Sequence, residues 1–299
     1  MFRLSEIRNL KASLIVLRIG SFQRTFLLFS LGLTCLVSIL PVDQVLANQP
    51  TALEIMQRVG EREDGEDVEW DMIITLRNRL DEKRTRMAKL FRKDFVVKGE
   101  IQTRQVTVFL SPLNIRGVGM LSFDYKNDVI DDDMWLYLPA IKKMRRISAA
   151  ERGDNFVGTD FTFEDIKQGF AVDDYHYKFI EETIWKAENQ KFEVYRIEAI
   201  PKTDALKSAL GFDRAEILVR KDIFMRVEQR FFDKNNILTR INSAHDVQKI
   251  QEIWTAMRLE SYNILNNHRT VLEITGAVYN QKLPDSLFHE RTLVSERIR

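Results

Sequence analysis

Residues 68–77, Val68-Glu69-Trp70-Asp71-Met72-Ile73-Ile74-Thr75-Leu76-Arg77, decide how the rest of the chain is read. Val68, Trp70, Met72, Ile74 and Leu76 are apolar at every second position, while Glu69, Asp71, Thr75 and Arg77 fill the other face. Successive side chains of a strand point to opposite faces, so a period of two predicts a strand with one face buried. Working outward, strand texture recurs at 85–92, 106–110, 121–125, 134–138, 175–179, 192–200, 215–220, 224–232, 237–247, 253–264 and 269–278. Several intervening turns are short, such as Lys234-Asn235-Asn236 and Asn266-Asn267, which is the spacing of antiparallel hairpins. No repeat or low-complexity linker divides the chain, so one large, strongly curved sheet is expected.

Helical spacing is rarer. Ala52, Ile55, Met56 and Val59 predict a helix capped by Thr51 and ended at Gly60. A short helix is expected over 161–169, capped by Asp160 or Thr159, and another over 203–210, ended by Gly211. Pro284-Asp285-Ser286-Leu287-Phe288 suits a single turn. The fold class is therefore mainly β with short helices, an α+β chain whose helices plug an apolar concave face.

The ends set the compartment. Arg3, Arg8, Lys11, Arg18 and Arg24 precede an apolar run at 26–40, which is signal-peptide length and short for a membrane span. Pro41 follows, and Val45-Leu46-Ala47 has the small residues of a cleavage site, so residues 1–47 read as a signal peptide and 48–299 as the exported domain. An uncleaved N-terminal membrane anchor is the alternative, and Cys35 lacks the context of a lipoprotein cysteine. Without the leader, 40 cations face 42 anions and no cysteine remains. A near-neutral, cysteine-free exported chain points to the periplasm and to a core without disulfides, and away from nucleic acid as a partner.

Chemistry is hard to find. The four histidines, His176, His245, His268 and His289, show no metal-ligand spacing, and Asp124, Asp128 and Asp131 to Asp133 lack the glycine and distal glutamate of a calcium loop. There is no GxSxG elbow, and Gly117-Val118-Gly119 is too short for a phosphate cradle. No catalytic residue, metal site or cofactor is expected, so the chain does not read as an enzyme. An apolar cavity remains, lined by Trp70, Met72, Met120, Phe123, Trp135, Tyr137, Phe179, Met225 and Phe231, with solid packing as the competing reading for each.

One stretch is specialised. Asp133-Met134-Trp135-Leu136-Tyr137-Leu138-Pro139-Ala140 runs into Lys142, Lys143, Arg145 and Arg146, then Gly153-Asp154, Phe156-Val157-Gly158-Thr159-Asp160-Phe161 and Phe163-Glu164-Asp165. On these residues the chain resembles the LolA-like lipoprotein-sorting proteins, in particular outer-membrane lipoprotein-sorting proteins often encoded near RND-type exporters. The resemblance implies a single incomplete antiparallel β-barrel of about eleven strands over 48–299, covered by a helical lid. It implies a monomer that binds lipid or lipoprotein acyl chains, takes them from an RND-type inner-membrane transporter and yields them to an outer-membrane acceptor. An RseB-like regulator shares the architecture and is the alternative; an envelope-lipid enzyme is a more distant one. At the rim, Lys142, Lys143, Arg145 and Arg146 would meet a lipid phosphate or, when the cavity is closed, the lid acids Asp160, Glu164 and Asp165 beside Phe161 and Phe163. Pairing among these charges, as a staple, is the alternative.

Overall fold

The alternation at 68–77 folds as β1 in a computed structural model that describes residues 49–97, 99–125, 132–167, 171–187 and 190–295. The expected signal peptide and cleavage site, Cys35, Asp128, Asp131 and Gly169 lie outside the described residues. The elements in chain order are α1 (Ala52–Gly60), β1 (Asp67–Arg77), β2 (Lys83–Val97), β3 (Glu100–Ser111), β4 (Gly119–Tyr125), β5 (Asp133–Leu138) and β6 (Lys143–Ile147). There follow α2 (Phe163–Lys167), β7 (Tyr175–Ala187), β8 (Gln190–Pro201), α3 (Asp204–Leu210) and β9 (Arg214–Arg220). The chain continues through β10 (Arg226–Phe232), β11 (Leu238–Ile250), β12 (Ile253–Asn263), β13 (His268–Tyr279) and α4 (Glu290–Val294).

All strands join one antiparallel sheet of 13 strands, ordered β6-β5-β4-β3-β2-β1-β13-β12-β11-β10-β9-β8-β7. The sheet is not closed, so the fold is the incomplete barrel expected, with thirteen strands where about eleven were predicted. The strand that the sequence hid is β6. Its Lys143, Arg145 and Arg146 look like a basic loop, yet they sit on an edge strand, where outward charge is tolerated and discourages pairing with other chains.

The pairing registers carry one face right across the sheet. Trp70 lies opposite Leu90, Leu90 opposite Thr107 and Thr107 opposite Met120. In the other direction Leu76 meets Thr270, and further on Ile217 meets Ile197. On this inner face Val68, Trp70, Met72, Ile74, Leu76, Leu90, Phe109 and Met120 form the main core with Phe156, Phe161, Phe163 and Ile166 from the β6–β7 connection. The inner face of β8 and β9 is covered by α1, whose Ile55 and Met56 pack on Ile197, Ala199, Ile217 and Val219. The start of α1 is the predicted one: Thr51 and Glu54 form a reciprocal capping box. On the outer face of β2 to β5 the C-terminal stretch covers Phe91, Val106, Val108, Leu121 and Tyr137 with Leu283, Phe288 and Leu293.

Candidate functional site

Of the connection between β6 and β7, residues 148–167 enter the inner face and pack on the part that α1 leaves uncovered. Their aromatics are the plug. Phe156 is 0% exposed, stacks on Phe109 with ring centroids 5.6 Å apart and meets Phe163 edge-on at 5.7 Å. Side chains of the sheet hold the segment's backbone at both margins: the Arg86 guanidinium on β2 donates to the Val157 carbonyl at 2.6 Å, and the Gln105 side-chain amide on β3 to the Ile166 carbonyl at 2.6 Å. Gly153 donates to the Ala209 carbonyl of α3 at 2.7 Å, and a Cβ there would come within 2.6 Å of the Leu210 backbone.

Charges latch the plug to β11, β12 and β13. The Asp160 carboxylate, 3% exposed, accepts from Thr270 at 2.7 Å and is bonded to His268 Nδ1 at 2.6 Å. Ser261 donates to the Asp160 carbonyl at 3.0 Å. Asp165 pairs with Arg240 and accepts from Asn242 Nδ2 at 3.0 Å. The expected cap of α2 moves accordingly. Asp160 is engaged with the sheet, and Thr162 makes the reciprocal bonds with Asp165 that start the helix.

Lys167 anchors the far side. It is 4% exposed and lies against Asp132, Glu164 at 3.0 Å and Asp124 at 3.7 Å. Burial alone would depress its ammonium, but the three carboxylates outweigh that and hold it above the usual lysine range. Between the plug and the α1 patch runs a polar seam. Burial, with nearby acids, pushes the Tyr175 phenol up, and burial, with its neighbour Tyr175, does the same at Tyr177. Burial lowers the Arg226 guanidinium beside them. Tyr177 Oη, Glu164 Oε2, Gln105 Oε1 and Trp70 Nε1 are buried with no hydrogen-bond partner among the described residues.

The predicted cavity residues divide between the faces. Trp70, Met72, Met120, Phe179 and Phe231 are on the inner face, the first three in the plug core. Phe123, Trp135 and Tyr137 lie on the outer face under the C-terminal stretch, and Met225 packs in an outer cluster with Trp185 and Val227. The rim and lid charges do not meet one another as expected. Arg145 bonds Glu151 at 2.5 Å, Arg146 pairs with Asp133, and Lys142 and Lys143 are exposed. Asp160, Glu164 and Asp165 are taken by His268, Lys167 and Arg240. Of the latch residues, Arg240, Asn242, Ser261 and Thr270 went unnoticed in the sequence, and His268 was weighed only as a metal ligand. Their signal was polar residues at inward positions of otherwise apolar strands.

Residues 102–295 match the model of a family described as an uncharacterized protein. The chain belongs to that family. No curated protein matches the sequence. Among solved structures, a DUF1329 family protein from Desulfovibrio piger is 26% identical with a TM-score of 0.73, over 81% of this chain and 97% of that one. A domain named for outer membrane lipoprotein sorting, from Vibrio parahaemolyticus, is 24% identical with a TM-score of 0.72, over 82% and 98%. A LolA superfamily protein from Nitrosomonas europaea is 15% identical with a TM-score of 0.59, over 81% and 99%. The shared feature is the LolA-like fold. Among the described residues no helix is long and apolar enough to cross a membrane, and no group of His, Cys, Asp and Glu is set to hold a metal.

Proposed function

We propose that this protein is a periplasmic carrier that takes lipid or lipoprotein acyl chains onto the inner face of its open barrel and moves them towards the outer membrane. The observation that carries the reading is the plug. Phe156, Phe161, Phe163 and Ile166 cover the apolar inner face with side chains from a connection, not from the sheet itself. An acyl chain gains about 0.8 kcal/mol per buried CH₂, so it competes with the plug for the same surface. Transfer is reversible because the plug returns when cargo leaves. The latch at Asp160 and Asp165 sets how readily it yields.

The buried polar seam supports an amphiphilic cargo, since Tyr177 Oη and Glu164 Oε2 offer hydrogen bonds that hydrocarbon alone would leave unused. Trp70, Met72, Met120, Phe179 and Phe231 would line the path of the chain. An RND-type exporter as donor and an outer-membrane acceptor belong to the same reading and rest on the family likeness. No step of the proposed cycle makes or breaks a covalent bond. Native mass spectrometry of protein purified from its own periplasm tests it. Co-purified lipid supports the carrier; a cargo-free protein that also excludes added fluorescent fatty acid would sink it.

A further inference from the structure

The hairpins of the sheet are not alike at its two ends. Because every neighbour is antiparallel, the β1–β2, β3–β4, β5–β6, β10–β11 and β12–β13 turns all emerge at one end. Each of these five turns presents one exposed aliphatic side chain: Leu80 at 70%, Leu113 at 85%, Ile141 at 59%, Ile237 at 51% and Leu265 at 66% exposure, while the β8–β9 connection at the same end, which carries α3, presents none. A cation sits close by in four of them. Arg79, Arg116, Lys142, Lys143 and Lys234 are exposed and enter no ion pair among the described residues. Acids on the same turns are occupied. Asp81 is paired with Arg77 at 3.0 Å, and Asp233 accepts from the backbone of Asn235 and Ile237 at 2.9 Å. At the opposite end the β11–β12 turn is polar, Gln251-Glu252, and the exposed aliphatics gather on the one β2–β3 hairpin, at Val96, Val97 and Ile101, instead of recurring from tip to tip.

Single aliphatics on separate tips are poor material for a protein interface, whose energy gathers in a central cluster of aromatic and arginine anchors. Neighbouring hairpins lie two strands apart, on the order of 9–10 Å, too far for one compact anchor. A bilayer asks for something else: apolar tips that reach the acyl boundary, and nearby cations at the level of the phosphates. We propose that this end of the sheet docks on a lipid bilayer carrying anionic headgroups, with the five aliphatic tips inserted and the adjacent cations on headgroup phosphates. This goes beyond the carrier reading and needs no cargo on the inner face.

The test uses the full chain with Cys35→Ser as background, the chain having one cysteine. Single variants Leu80→Cys, Leu113→Cys and Leu265→Cys, and Gln251→Cys at the other end, each carry an environment-sensitive fluorophore. They are mixed with vesicles of phosphatidylcholine alone or with phosphatidylglycerol. The expected result is a blue shift at the three tips with phosphatidylglycerol vesicles, none at position 251, and weakening by added salt. Adding Arg79→Glu, Lys142→Glu and Lys143→Glu should lower apparent affinity by about tenfold or more. The label is local, so attachment through another part of the chain leaves the tips unshifted and overturns the proposal. So does an equal shift at position 251, or binding indifferent to the three charge reversals.

Discussion

Phe156→Ala tests the plug most directly, because stability and uptake should move in opposite directions. The ring is 0% exposed and touches Phe109 and Phe163, so truncation forfeits its transfer free energy and both aromatic contacts and leaves a cavity. Phe→Ala changes at such sites cost about 3–5 kcal/mol. At roughly 2–4 °C per kcal/mol for a domain of this size, the melting temperature should fall by about 6–20 °C. Stability is read by urea denaturation and thermal melting. Uptake is read by titrating a fluorescent fatty acid, which should bind more tightly because its rival for the inner face is weakened. A loss below about 1.5 kcal/mol would show that Phe156 is not a core residue. Normal destabilisation without tighter uptake would show that plug and acyl chain do not compete, and would refute the mechanism.

Three further outcomes are expected. Lys167→Met strands Asp132, Glu164 and Asp124 around an uncompensated site and should cost about 3–5 kcal/mol by denaturant titration, with part regained when Asp132→Asn is added. Gly153→Ala drives a methyl into the Leu210 backbone and should cost about 1–3 kcal/mol, with hydrogen exchange rising first at the Gly153 amide bonded to Ala209. Hydrogen bonds from the backbone and hydroxyl of Ser148, then from Arg145, hold the Glu151 carboxyl down from 4.5 to about 2. Since the folded value is the lower one, its contribution is complete above pH 4.5 and is lost as pH falls towards about 2; NMR titration of its carboxyl should show that midpoint, and Arg145→Ala should raise it.

Most of the architecture could be read from alternation, because a half-buried strand writes its burial at every second residue. Helix α1 was legible through Thr51 and its spacing, and α3 through its end at Gly211, whose φ of 76° suits glycine; Thr203, expected inside that helix, caps it. What alternation withholds is which of two apolar faces is inner. Phe123, Trp135 and Tyr137 are as greasy as Met120, yet a parity shift of one places them under Phe288. Strand β6 was hidden by its charge, and α4 by its brevity. The latch was the hardest part to see, since Asp160 and His268 are 108 residues apart and only the sheet brings them together.

The strand order carries a consequence for how the chain is made. β1 pairs with β13, so Val68 waits for Tyr279 before the seam between first and last strands can form. The meander from β1 to β6 can zip locally as it emerges, and β7 to β13 can do the same, but their joining needs nearly the whole chain. Until that final strand arrives, β1 has a bare edge and the inner face has only half its wall. A chain cut short of β13 would keep that edge open, so the wall of the barrel becomes continuous only when the last strand pairs with the first.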